Sequence, residues 1–135
     1  MGKTSTSVYT GSLRTENTHL KSGSVILTDA PIDNRGKGQA FSPTDLCATS
    51  LANCMLTVMG IKAEDHGWNL TGATAMVEKE MASDPRRIAT IRIVITALRP
   101  DDAKAIPILE RTAKDCPVAK SLHPDLKQEV SFKWE

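Results

Sequence analysis

Charge imbalance is the first thing this sequence lacks. Its 17 Lys and Arg stand against 16 Asp and Glu, a formal net charge of +1, so neither nucleic acid nor a membrane surface is expected as an electrostatic partner. Aromatic residues are scarce, five in 135 positions, and no basic stripe interleaves with them, which argues against a base-stacking surface. The three cysteines and His19, His66 and His123 show no CxxC or HExxH spacing, so no metal is expected. No GxSxG marks a serine nucleophile. "RGKGQA", Arg35 to Ala40, has a GxG without the GK[ST] of a phosphate loop, and no cofactor is expected. The opening MGKTSTSVYTG has no apolar secretory segment. Its second-place Gly with Ser5 and Thr6 only weakly resembles an acylation signal. The longest uncharged run, Leu46 to Ile61, has 16 residues and includes Thr49, Ser50, Asn53 and Thr57, which is too short and too polar for a membrane span. An odd cysteine count in a chain expected to be cytoplasmic disfavours structural disulfides and leaves buried or reactive thiols.

What is present reads as one α+β domain over residues 1–135. Strands are expected at Val8 to Leu13, in a short arm around His19 to Lys21, and at Val25 to Thr28, with a turn at Ser22-Gly23. Asp29 to Pro43, rich in Gly, Pro, Asp and Asn, reads as a long loop, and loops of that length are usually functional or mobile. "SPTD" then signals a helix start. Ser42 can cap, Pro43 suits the first helical position and Asp45 stands three residues after Ser42. The helix should run to about His66 and stop at Gly67, with Cys47, Leu51, Cys54 and Val58 on one stripe and apolar residues on its other sides, the pattern of a helix buried all round. Thr74 to Met81 and Ile88 to Leu98 should pair as an antiparallel hairpin, with Ile91, Ile93 and Ile95 on one face. A helix should follow, capped near Asp101, with Ile106, Leu109 and Ala113 inward and Pro107 disturbing its first turn. Pro117 begins a short second helix, and Lys127 to Trp134 closes the sheet.

The candidate chemistry lies in the thiols. Cys116, at a helix N-terminus, is placed where free N–H groups favour a thiolate. Lys114 and Lys120 would add to this and Asp115 would oppose it; the alternative is a cysteine used as a small cap. Cys54 lies in an apolar helix, where a buried filler is the plainer reading; to react it needs a cation, with Arg14, Arg35 and Lys37 as candidates. Cys47 reads as core. It stands about 10 Å from Cys54 along the helix axis, too far for a disulfide. Asp101 and Asp102 read as a helix start, and Glu78 and Glu80 as solvent-exposed.

"FSPTDLCATSLANCM", followed 62 residues after Cys54 by "CPVAKSL", resembles the OsmC/Ohr family of osmotically inducible and organic hydroperoxide resistance proteins. The resemblance extends from "YTG" through the Gly-rich loop, central helix and hairpin to the last strand, and "LTDAP" and "GKG" resemble a distinct branch. It implies an OsmC-like fold in which antiparallel sheets wrap a long buried central helix, an intertwined homodimer, and thiol-dependent reduction of organic hydroperoxides in stress defence. Carried over, Cys54 is the peroxidatic thiol and Cys116 the resolving thiol, and an external dithiol is the reductant. Relatives carry a Glu ten residues before the first Cys, paired with an Arg. Here that place holds Thr44, with Asp45 one residue later and rotated by about 100°. Asp45 is the candidate substitute, and Arg14, or else Arg35, the candidate arginine. Met55, Leu56 and Met59 are expected to line a pocket for an alkyl peroxide. The alternative is a small hydrophobic ligand-binding or stress protein on the same scaffold, without peroxidase activity.

Overall fold

In the computed structural model, residues 2–135 are described; Met1 of the opening MGKTST lies outside them. The chain divides into two compact units, Met1–Cys47 and Ala48–Glu135. The first holds an antiparallel sheet of β1 (Ser5–Gly11), β2 (Arg14–His19) and β3 (Val25–Asp29), in that order. Strand β1 ends earlier than the sequence suggests. Gly11, Ser12 and Leu13 all take positive φ, the backbone that lets a tight hairpin turn follow the twist of its strands. The arm expected near His19 is the middle strand β2, made of "RTENTH", which has no apolar alternation to reveal it. The expected turn is present at Gly23, with φ +77° and its N–H bonded to the His19 carbonyl at 2.7 Å.

The long loop is folded tightly on itself. A single 3-10 turn at Ile32–Asn34 is followed by Gly36, whose N–H reaches the Pro31 carbonyl at 2.9 Å, and Gly38, whose N–H reaches the Ala30 carbonyl at 3.1 Å. A Cβ on Gly36 would lie 1.8 Å from the Ala30 oxygen, so that approach is open only to glycine.

Helix α1 (Pro43–His66) starts and stops where its signals place it. Ser42 and Asp45 cap it reciprocally: the Asp45 N–H donates to Ser42 Oγ at 3.0 Å and the Ser42 N–H to Asp45 Oδ2 at 3.1 Å, satisfying two donors that the helix cannot. Gly67, with φ +72°, ends it.

In the second unit, β4 (Thr74–Ala82) pairs antiparallel with β5 (Arg87–Ala97), and β5 pairs parallel with β6 (Lys127–Trp134). This sheet is therefore mixed and not antiparallel as expected. Two helices, α2 (Ala105–Lys114) and α3 (Pro117–Ser121), separate β5 from β6 and carry the chain back to the end where β5 began, as a parallel connection requires. Helix α2 starts at Ala105, later than Asp101. Asp102 holds the preceding turn through the Lys104 N–H at 3.0 Å, and Pro107 sits harmlessly in the first turn.

The core joins Ala48, Leu51, Ala52, Met55, Met59 and Ala63 of α1 to Ile91, Ile93 and Ile95 of β5, to Ala105, Leu109 and Ala113 of α2, and to Cys116. The buried stripe of α1 thus keeps Leu51 of the expected set and is turned away from Cys47, Cys54 and Val58. Cys47 is only partly buried and outside this core, and Ile61 is exposed, so the helix is not enclosed on every side. The uncharged run read as too short for a bilayer lies in a 24-residue helix with an 18-residue window of mean hydropathy 1.4. By length and composition that suffices to cross a membrane, but a third of the window is buried within the protein. On the opposite face of the sheet, Arg92 bonds Glu129 at 2.8 Å and Glu78 at 3.1 Å. Glu78 and Glu80 are exposed as expected but ion-paired to that arginine.

Gly36→Ala is expected to lower stability by about 1–3 kcal/mol through the clash with Ala30. Gly60→Ala in α1, where an added Cβ meets nothing within 4 Å, should be neutral or stabilising by up to about 1 kcal/mol. Urea denaturation followed by circular dichroism compares the two.

Candidate functional site

Two of the predicted site residues are brought together, both in the second unit. Cys54 lies on the flank of the buried α1 stripe, beyond its Leu51 edge, and is partly buried. Cys116 is fully buried, and its thiol stands beside that of Cys54. Helices α2 and α3 deliver it there. Ala105, Leu109 and Ala113 seat α2 in the core, the chain turns at Asp115, and Pro117 at the first position of α3 fixes Cys116 as its cap. The Ala119 N–H donates to Cys116 Sγ at 3.4 Å.

Burial pushes the Cys116 thiol above its usual range, against the opposing bond from Ala119, and the neighbouring Cys54 sulfur raises it further. The expectation that a helix N-terminus would make Cys116 the readier thiolate is therefore overturned. Desolvation of the sulfur outweighs the few N–H groups of a five-residue helix. Lys120, counted as possible help, is instead paired with Asp115 at 3.1 Å, both side chains being exposed.

Arg14 and Asp45 belong to the first unit. The Asp45 carboxylate is used in the α1 cap. Arg14 and Asp29 face each other across β2 and β3, and Arg14 Nη2 donates to Asp29 Oδ2 at 3.1 Å and to Gln39 Oε1 at 2.8 Å. The Gln39 N–H donates to the same Asp29 oxygen at 2.9 Å. That bond and the Arg14 guanidinium hold the Asp29 carboxyl below its usual range despite burial, and Lys37 adds to the effect. Thr15 and Thr28 share a side-chain hydrogen bond beside this pair. Arg35, the second candidate, is the left-handed residue closing the 3-10 turn, and is exposed.

Asp29 was not a candidate in the sequence, where it read as the first residue of a loop. Its signal was the "LTDAP" junction, an acid ending an apolar strand opposite an arginine. Of the expected pocket residues, Met59 is wholly core. Met55 touches a cavity of about 490 Å³ with Lys114, Gln128, Glu129 and Val130. Leu56 lines a different one of about 270 Å³ beside Trp68, whose ring stacks on His66 at 4.3 Å between centroids. Among the described residues no group of three or more His, Cys, Asp or Glu could hold a metal.

Residues 36–131 match the family model for OsmC-like proteins. Along 98% of the chain and 96% of its own, a protein of Psychrobacter arcticus 273-4 is 54% identical with a TM-score of 0.93; it is provisionally described as an osmotic stress induced and detoxification response protein. An organic hydroperoxide resistance protein from Legionella pneumophila shares the fold at 16% identity, with a TM-score of 0.70 and 97% of each chain covered. One from Elizabethkingia anophelis does so at 10% identity, with a TM-score of 0.75 over 100% of this chain and 99% of that one. No curated protein matches the sequence.

Iodoacetamide at neutral pH should label Cys54 before Cys116, by about tenfold or more in rate, as peptide mapping would show. Equal labelling would contradict the burial of Cys116. Asp45→Ala should cost about 1 kcal/mol of stability through loss of the cap, measured by denaturant titration.

Proposed function

The chain belongs to the OsmC-like family, whose members include stress and hydroperoxide resistance proteins, and from that premise we propose that it is a thiol-dependent peroxidase for organic hydroperoxides. The observation that carries this reading is the pairing of a partly exposed Cys54 with a buried Cys116. The Cys54 thiolate attacks the distal oxygen of the hydroperoxide. The O–O bond breaks, the alkoxide leaves and takes a proton as the alcohol, and Cys54 becomes a sulfenic acid. The Cys116 sulfur then attacks the sulfenic sulfur. Its proton goes to the departing hydroxide, which leaves as water, and a Cys54–Cys116 disulfide forms. An external dithiol reduces that disulfide by exchange and is itself oxidised.

Burial of Cys116 suits this order. A resolving thiol that keeps its proton does not compete for the peroxide, and it brings the proton that the second step consumes. The family resemblance is what makes Arg14, or else Arg35, the proposed assisting arginine. The partly open outer faces of α1, with Ile61 exposed, support a homodimer in which a second copy covers them, and the location is taken as the cytoplasm. The cavity at Met55 supports a second reading, a small-ligand binding protein, because its about 490 Å³ is within the range of ligand sites.

One equivalent of cumene hydroperoxide should convert the protein to a species lighter by two hydrogens, with Cys54 joined to Cys116 in peptide mass spectra. Cys116→Ser should stop one oxygen heavier, at Cys54, and Cys54→Ser should not react. A protein no faster than free thiol, and unaffected by Cys54→Ser, would leave the ligand-binding reading.

A further inference from the structure

We propose that the cavity of about 270 Å³ between the last turns of α1 and residues 68–73 binds a small organic cation, an amine on an apolar or aromatic body. It lies wholly in the second unit and neither thiol of the candidate pair lines it, so the site is separate from the proposed peroxide chemistry. Its walls are built in advance. The Trp68 N–H donates to the Ala63 carbonyl at 2.8 Å and the Ala73 N–H to the Leu70 carbonyl at 3.1 Å, and Asn69 Oδ1 accepts the Thr71 N–H at 3.0 Å. These bonds fold the segment back beside the helix. Leu56, Trp68 and Leu70 pack against the core from the same place, so a ligand meets fixed apolar surface and orders no loop on entering.

Three observations set the chemistry of the ligand. Glu64 is the one charged side chain on the lining, it is exposed, and it has no ion pair among the described residues. It stands in the last turn of α1, where the helix dipole is negative too, so the local field draws a cation and repels an acid. Trp68 supplies an aromatic wall, its ring held by stacking on His66 at 4.3 Å between centroids and 14° between planes. Tryptophan is the side chain whose face attracts cations most strongly. The third observation is Gly60. It lies in the interior of α1 without a positive φ, and a Cβ there would meet nothing within 4 Å. A helix-interior glycine costs about 1 kcal/mol against alanine, and neither its backbone nor packing within the chain requires one here. Room in the cavity that Gly60 lines does require it.

The test titrates the whole chain with phenethylamine, phenethyl alcohol and phenylpropionate in mildly alkaline buffer, and follows the Trp68 indole N–H and the backbone amides around the cavity by two-dimensional NMR. The amine is expected to saturate and to bind about 3- to 10-fold more tightly than the alcohol, and the acid to bind more weakly than either. Glu64→Gln should remove most of the preference for the amine over the alcohol. Gly60→Leu, which fills the cavity, should abolish binding while urea denaturation shows stability held or raised. No saturable shift with the amine, equal binding of amine and alcohol, or full binding by Gly60→Leu would each overturn the inference. A change of oligomeric state in Gly60→Leu, seen by light scattering, would also overturn it, because the notch would then be a contact for a second copy. If Gly60→Leu fails to fold by circular dichroism, the exposed substitution Glu64→Gln decides: loss of the preference for the amine supports the site, and an unchanged preference overturns it.

Discussion

The packing of one stripe of α1 against β5 and α2 is the constraint on which the second unit depends. Ala48, Leu51, Ala52, Met55, Met59 and Ala63 meet three isoleucines and the Ala105, Leu109, Ala113 face of α2. Three alanines stand among the leucine and two methionines of that stripe, so the helix can approach its neighbours closely while the larger side chains fill the space between. Cys116 is the end of the same core. Because α2 is seated by its alanines and its leucine, the turn after it brings Cys116 to the flank where Cys54 emerges. The thiol pair is thus a product of core packing and needs no dedicated loop to assemble it.

That placement gives two chemically identical side chains different properties. Cys116 is sealed from water and accepts one N–H at 3.4 Å; Cys54 keeps a path to solvent. Removing water from a thiol penalises its thiolate, and a second sulfur alongside adds to the penalty, since two adjacent thiols do not readily ionise together. Under the proposed mechanism, depth alone would divide the labour between attacking and resolving sulfur. The helix-end effect that favours ionisation of an N-terminal cysteine is present but small beside desolvation.

In the first unit, two carboxylates have different partners. Asp45 closes a capping box with Ser42, three residues before it. Arg14 finds its anion across the strand pair instead. A cross-strand pair at the end of a ladder is rigid in a way that two long side chains on separate loops are not, and the Gln39 contacts tie the glycine loop to the same point.

Much of this was legible in residues whose signals are local. Pro43, Ser42, Asp45 and Gly67 bound α1 to the residue because capping and chain reversal are short-range demands. The isoleucine alternation of β5 likewise reports a face that any sheet must bury. The pairing of Cys54 with Cys116 was legible only through resemblance, since no spacing rule joins residues 62 apart. Strand β2 was read only as a short arm around His19 to Lys21 because it is polar and held by its neighbours' ladders. The buried stripe of α1 was misjudged because a helix with apolar residues on several sides carries no clear moment to orient it. The parallel pairing of β6, the depth that separates the two thiols and the Arg14–Asp29 pair depend on contacts between distant segments. The sequence by itself determined where elements begin and end and which residue types were at hand. Tertiary structure alone decided which face was buried, which thiol lost its water and which acid met the arginine, because desolvation and ion pairing are set by neighbours in space.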